Sequence, residues 1–316
     1  MDSPHDSPDE LLYSFKVSPE QAGLRLDKFL ADSLSYLSRE RLQAYIKEGY
    51  VQVDGKLSKP AYKLSPGELV TLELPPEEET TEVLPEALPL DILYEDEHIA
   101  VVNKPAGLVV HPAFGNWSGT LVNALMHRYP ALRRWPNPTR AGIVHRLDKE
   151  TSGAMIVALT QEAYLQLVAK FQQREVIKLY WALVDGAPPT ETGTIEAEIG
   201  RDAVIRKRMK VARTGKYAVT DFRILERYPH HSWLEVHIET GRTHQIRVHL
   251  AFIGCPVAGD RVYGRQHSSI ALERFFLHAR SLTFRHPLSD EELYIEAPLA
   301  PELDAVLKDL QALKQS

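Results

Sequence analysis

The chain has 316 residues, 44% of them hydrophobic, which suffices for two domains with buried cores, and a formal net charge of −6. Its single cysteine, Cys255, excludes an internal disulfide, its histidines show no zinc-type spacing, and no apolar run approaches the roughly 18 residues that span a bilayer. The negative total does not exclude a nucleic-acid partner, because residues 73–97 carry 10 acidic and no basic side chains whereas residues 98–290 carry 26 basic and 16 acidic ones.

Residues 1–12, rich in Asp, Ser and Pro, are expected to be a disordered tail, and their lack of a basic start and an apolar core fits a cytoplasmic protein. Residues 13–74 read as a small domain. Leu24, Leu26, Phe29, Leu30 and Leu34 recur at helical spacing, and Ser38 is the expected N-cap of a second helix that carries Leu42, Tyr45 and Ile46 and stops at Gly49. Val51-Gln52-Val53 alternates into the hairpin turn Asp54-Gly55, and residues 68–72 supply a further strand. With Arg25-Leu26-Asp27-Lys28-Phe29-Leu30 opening it and residues 49–55 at its turn, the unit resembles the S4 RNA-binding domain. The resemblance puts Arg25, Lys28, Arg39, Arg41 and Lys47 on an RNA-facing side, although charge periodicity alone also fits a helical cap with a solvated face.

Residues 75–89 open with Pro75-Pro76-Glu77-Glu78-Glu79 and are expected to form an extended, self-repelling linker. In residues 90–316, apolar runs such as Ile99-Ala100-Val101-Val102 and Trp233-Leu234-Glu235-Val236-His237-Ile238 outnumber helical patterns, which are confined to residues 118–129, 160–174 and 243–252. That order predicts an α+β domain with a mixed, mostly antiparallel sheet. The densest basic stretch, residues 206–216, reads as a charged hairpin arm. Arg206, Lys207, Arg208 and Lys210 are either solvated or in contact with an RNA backbone.

The most informative segment is His145-Arg146-Leu147-Asp148-Lys149-Glu150-Thr151-Ser152-Gly153. It sets one carboxylate between cations, on a turn held by Gly142-Ile143-Val144 before it and a buried strand, residues 154–159, after it. By itself it also fits a turn aspartate with solvated basic neighbours. In chain order it stands with Val101-Val102-Asn103-Lys104-Pro105-Ala106-Gly107, Lys178-Leu179-Tyr180-Trp181-Ala182-Leu183-Val184 and Thr240-Gly241-Arg242-Thr243-His244-Gln245-Ile246-Arg247-Val248-His249-Leu250. Together the four blocks, spanning residues 90–298, resemble the RluA-type pseudouridine synthases of large-subunit ribosomal RNA. The N-terminal S4-like domain points within that family to the RluD-like branch.

The resemblance implies an isomerase that breaks the N1–C1′ bond of a uridine, turns the base and rejoins it through C5. It implies Asp148 as the catalytic carboxylate, abstracting the C2′ proton or attacking C1′, Arg247 as its ion-pair partner, and Tyr180 against the target base. Without it, Arg247 also fits the snorkelling edge of an amphipathic helix capped by Thr243, and Tyr180 an ordinary core residue. Arg146 is expected to fill the space left by an extruded uridine, Arg242 and His244 to contact substrate, and Asn103 and Lys104 to support the site. No cofactor or metal is expected. The expected partner is large-subunit ribosomal RNA or an assembly intermediate, with no membrane and the chain a monomer; tRNA as substrate, or an RNA-binding assembly protein without catalysis, are the alternatives. A protein kinase is disfavoured, because no Gly-rich phosphate loop precedes Lys104 and Arg223 stands where Asp-Phe-Gly needs glycine. A glycoside hydrolase needs two placed carboxylates, and only Asp148 stands out.

Overall fold

The computed structural model describes residues 12–34, 39–73, 83–112, 117–202, 208–264, 270 and 272–315. The chain divides into two compact units, Met1–Glu82 and Val83–Ser316.

In the first unit, strand β1 (Leu12–Lys16), helices α1 (Leu26–Ser33) and α2 (Arg39–Glu48), and strands β2 (Val51–Val53), β3 (Lys56–Leu57) and β4 (Leu69–Glu73) follow one another. The sheet is antiparallel in the order β1-β4-β2-β3. Both residues of the β2–β3 turn have positive φ, 48° at Asp54 and 74° at Gly55, the conformation a tight hairpin demands and this pair tolerates. Leu26, Phe29, Leu30, Leu42 and Ile46 pack on Val51, Val70 and Leu72 as one core. The edge strand β1, which begins inside the expected tail, was not anticipated, and Ser38 lies outside the described residues.

The second unit contains strands β5 (Asp91–Glu95), β6 (Ile99–Lys104), β7 (Ser152–Ala158), β8 (Ile177–Asp185), β9 (Thr192–Glu196), β10 (Ile199–Arg201), β11 (Met209–Val211), β12 (Val219–Arg227), β13 (His231–Ile238), β14 (Leu277–Arg285) and β15 (Glu292–Glu296). Its helices are α3 (Leu121–Arg128), α4 (Gln161–Gln173), α5 (Gln245–Phe252) and α6 (Pro301–Gln315). The main sheet runs β5-β6-β7-β14-β8-β13-β12-β9, with β15 on β14, and among the described residues only β7 and β14 pair in parallel. This is the expected α+β architecture. β10 and β11 form the separate basic hairpin.

The central strands are apolar on both faces because both are covered. Val102, Met155 and Val157 face a core shared with Leu121 and Leu125 of α3, while Val101, Ile156 and Ala158 face Ala163 and Leu167 of α4. Thr160 caps α4 by accepting the Ala163 N–H, and Arg174 ends it in the left-handed conformation. Helix α6, which is not among the expected helices, buries Leu303, Leu307 and Leu310 beside Leu183 and Phe276.

The expected linker needs correction at its C-terminal end. Val83 is buried in the larger core, the Leu84 carbonyl accepts from Asn123 Nδ2 at 2.7 Å, and the Glu86 carboxylate accepts the Gly119 N–H at 3.0 Å. Pro and Glu content signalled an extended chain, but residues 83–86 find specific partners on and before α3.

Candidate active site

The turn that carries Asp148 is held from beneath by two buried cations. Lys104, closing β6 and 1% exposed, donates its ammonium to the carbonyls of Pro105, Leu108 and Lys149 at 2.8, 2.9 and 3.0 Å. Arg274 donates Nη1 to the Glu150 carbonyl at 3.0 Å and Nη2 to Ser152 Oγ at 2.9 Å, and it pairs with Glu302 at 2.7 Å. The Gly107 N–H also binds the Lys149 carbonyl, and the Thr151 N–H closes on the Asp148 carbonyl at 3.1 Å. Consecutive backbone groups are thereby fixed, which fixes the carboxylate they carry. Burial lowers the Lys104 pKa to about 7, opposed in part by Glu150.

Gly153 has a sequence reason visible only here. Its φ is +113°, and a Cβ would collide with the Ala279 carbonyl where β7 and β14 run in parallel. The Thr-Ser-Gly end of the motif is thus a close-packing requirement.

Arg247 reaches Asp148 from α5, Nη1 to Oδ2 at 3.0 Å, with the two side chains 6% and 19% exposed. The expected pair is present. Arg247 is also held from the other side: Nε and Nη2 donate to Asp260 Oδ2 and Oδ1 at 2.7 and 3.0 Å. Its guanidinium lies 4.2 Å from the Phe275 ring centroid and 5.0 Å from that of Tyr263. Burial opposes its charge, but Asp260 and then Asp148 outweigh burial and raise its pKa. The Asp260 carboxylate, wholly buried, also accepts the N–H groups of Val262 and Tyr263 at 2.9 and 3.1 Å. Helix α5 starts at Gln245, not under a Thr243 cap. His244 occupies the cap position with φ +57° and no side-chain cap bond, while the Gln245 side chain accepts from the Arg242 N–H and Thr240 Oγ1.

Asp148, Tyr180, Arg146, Arg242, His244 and Arg247 all line one small cavity of about 70 Å³. Arg146, Asp148, His244 and Arg247 also line a cleft of about 570 Å³ bordered by Asp260 and Arg274. Arg146, exposed, also lines a second cleft of about 570 Å³ on the Tyr180 side. Tyr180 is buried, and burial, followed by the charge of Asp148, pushes its pKa up, so it carries its proton. His145 is structural: Nε2 accepts the Ile156 N–H, the ring stacks on Phe171, and burial followed by Lys178 lowers its pKa to about 3.

The remaining expected contacts divide. Arg242 holds the Tyr217 carbonyl at 3.0 Å, His244 Nδ1 bonds the Tyr263 hydroxyl at 2.8 Å, and Arg208 lies 5.3 Å from the Tyr263 ring, at the margin of the site. Lys210 is exposed on β11 with Asp202 3.8 Å away, and Arg206 and Lys207 lie outside the described residues. Asn103 binds Asp91 on β5 and so lies apart from the Asp148 turn, whereas Lys104 supports that turn directly. In the first unit, Arg25 and Arg39 converge at 3.0 Å on buried Asp27, holding its carboxyl far below the usual range chiefly through Arg25. Arg41 donates to Tyr45 at 2.8 Å, and Lys28 is exposed. Asp260 and Arg274 escaped the sequence analysis; the only local sign of the former was the Gly259-Asp260 turn.

Among the described residues, nothing besides Arg247 bonds the Asp148 carboxylate, which keeps Oδ1 available at a cavity shared with a buried phenol. Such a carboxylate can take a proton or attack carbon.

The sequence family described as RNA pseudouridylate synthase matches residues 98–252, and the S4 domain family matches residues 24–70. The chain is 47% identical over 306 residues to the ribosomal large subunit pseudouridine synthase D of Neisseria meningitidis serogroup A, covering 93% of this chain and 81% of that protein. It is 45% identical over 295 residues to the uncharacterized RNA pseudouridine synthase YlyB of Bacillus subtilis, covering 93% and 97%. Among solved structures, human RNA pseudouridylate synthase domain containing 1 superposes with a TM-score of 0.56 at 29% identity, covering 76% of this chain and 98% of that one.

Proposed function

The chain belongs to the RNA pseudouridylate synthase family, and from that premise we propose that it modifies uridines of large-subunit ribosomal RNA with Asp148 as the reacting carboxylate. It is an isomerase: the N1–C1′ bond of a uridine breaks, the base turns, and a C5–C1′ bond forms, with the C5 proton lost and one gained at N1. The observation that carries the residue assignment is the 3.0 Å contact of Asp148 with a guanidinium already fixed by Asp260, at a cavity shared with Tyr180.

Asp148 acts at C1′ or C2′ through its free oxygen. Arg247 holds the other oxygen and keeps the carboxylate aimed as charge redistributes. Tyr180, kept protonated by burial and by Asp148, lies against the base and offers ring contact and a hydroxyl donor rather than a phenolate. Arg146 fills the stack that the extruded uridine leaves. The S4 domain binds RNA, with residues 13–74 supplying affinity and the basic hairpin, including Arg208 and Lys210, adding backbone contacts.

The substrate class follows the relatives named ribosomal large subunit pseudouridine synthase D, in Neisseria meningitidis and in Pseudomonas aeruginosa. We place the activity in the cytoplasm, on ribosomal RNA or its assembly intermediates, with the chain acting as a monomer; among the described residues no helix is long and apolar enough to cross a membrane. Pseudouridine mapping in ribosomal and transfer RNA from cells with and without the gene tests this. Loss of specific large-subunit sites supports it, and loss confined to tRNA overturns the substrate assignment.

A further inference from the structure

Strand β8 brings a second functional group to the site. Lys178 and Tyr180 are two residues apart and share its buried face, about 7 Å apart along the strand. Lys178 is only 6% exposed, yet among the described residues no carboxylate, carbonyl or hydroxyl accepts from its ammonium. It lies 5.8 Å from the Phe171 ring centroid. The ammonium is not sealed in the core but reaches a cleft, and the reason for a cation at that wall lies in what the cleft receives.

The surroundings give the reason a chemical class. Lys178 lines the second cleft, together with Tyr180, Arg146, Arg174 and Arg242. One carboxylate lines the same cleft, Glu239, and Arg174 already engages it at 3.0 Å. Four cations against one committed anion select an anionic ligand. An ammonium has three donors and no acceptor, and suits a phosphate oxygen better than a base edge, which leaves the charge uncompensated.

We propose that Lys178 forms a phosphodiester subsite that grips the RNA backbone beside the target uridine, on the Tyr180 side of the cavity. The inference rests on reading this chain as an RNA-modifying enzyme acting at Asp148. The base enters the cavity between Asp148 and Tyr180, and the backbone leaving it passes into the Lys178 cleft. Arg146, which borders both spaces, marks the crossing.

The test uses the full chain and a transcript of large-subunit ribosomal RNA, with binding measured from 50 to 300 mM salt, an interval of about that width being enough to resolve one phosphate contact. Lys178→Met keeps the side-chain volume against Phe171 and removes the charge. The logarithmic salt slope should fall by about 0.7 to 1, one phosphate contact, and Lys178→Arg should restore it. The thermal midpoint of Lys178→Met should stay close to that of the parent, because the ammonium faces a cleft and its removal strands no carboxylate, carbonyl or hydroxyl among the described residues. An unchanged slope with normal folding overturns the subsite. So does a lowered midpoint with an unchanged slope, which makes Lys178 a structural residue. Failure of the functional reading is separate: the parent protein then forms no pseudouridine in any RNA, whatever the slope.

Discussion

Asp260 grips Arg247 through Nε and Nη2, at 2.7 and 3.0 Å, while Nη1 bonds Asp148 at 3.0 Å. The shared guanidinium is tethered by Asp260 and bonds Asp148 through Nη1 alone, so Asp148 is held by one oxygen and keeps the other. Asp260→Asn weakens the tether and frees Arg247 to swing fully onto Asp148. We expect kcat to fall about 100-fold, the scale of an ångström-level misplacement. KM for RNA should change less than kcat, since the Asp260 carboxylate is wholly buried and spent on Arg247 and on the Val262 and Tyr263 N–H groups. Single-turnover rates beside binding constants decide this; equal losses in both would show a general folding defect.

Arg247→Met orphans two carboxylates rather than the one foreseen from the sequence. Asp260 is wholly buried, so the variant should lose roughly 3–5 kcal/mol of stability in addition to its activity. Arg247→Met with Asp260→Asn removes the stranded charge while leaving an oxygen for the Val262 and Tyr263 N–H groups. The double variant should recover about 1–3 kcal/mol relative to Arg247→Met alone and remain inactive. Urea denaturation of the four proteins measures the coupling, and strict additivity would dissociate the two residues.

Asp148→Asn keeps the volume and one acceptor for Arg247 but can neither attack carbon nor take a proton. Activity should fall by about 1,000-fold or more, with RNA affinity and thermal midpoint nearly unchanged. Release of tritium from C5-labelled ribosomal RNA reads the reaction directly. Residual turnover near the parent rate would remove Asp148 from the chemistry.

Lys104 makes stability depend on pH. Its pKa is about 7 in the fold against 10.5 for an ordinary lysine, so between these values the unfolded chain holds a proton that the native state has shed. Stability therefore rises with pH across this window, and the gain is lost as pH falls towards 7. Compared with Lys104→Met, the parent protein should gain roughly 1 kcal/mol per pH unit from about pH 7.5 to 9.5. The variant should also be less active at every pH, because the carbonyls of Pro105, Leu108 and Lys149 lose their donor. Denaturation at both pH values checks the first point; parallel stability profiles would contradict it.

The sequence by itself determined the α+β class, most of the central strands, and which residues to look for at the site. Period-2 and continuous apolar runs placed β6, β7 and β13, helical spacing over residues 160–174 placed α4, and Asp54-Gly55 placed the hairpin, because these signals are local and act through backbone conformation and burial. Four ordered blocks brought Asp148, Tyr180 and Arg247 forward as a set. What only the tertiary structure decided lies in contacts between distant segments. Arg274 meets the Asp148 turn from beyond residue 270, Asp260 and Arg247 meet across a loop, and β7 pairs in parallel with β14, which explains Gly153. The place of Lys178 in the wall of a cleft lined by Arg146, Arg174 and Arg242 likewise depends on the fold. The physical reason is that charge pairing and desolvation depend on what surrounds a side chain in space, and sequence spacing constrains only neighbours along the chain.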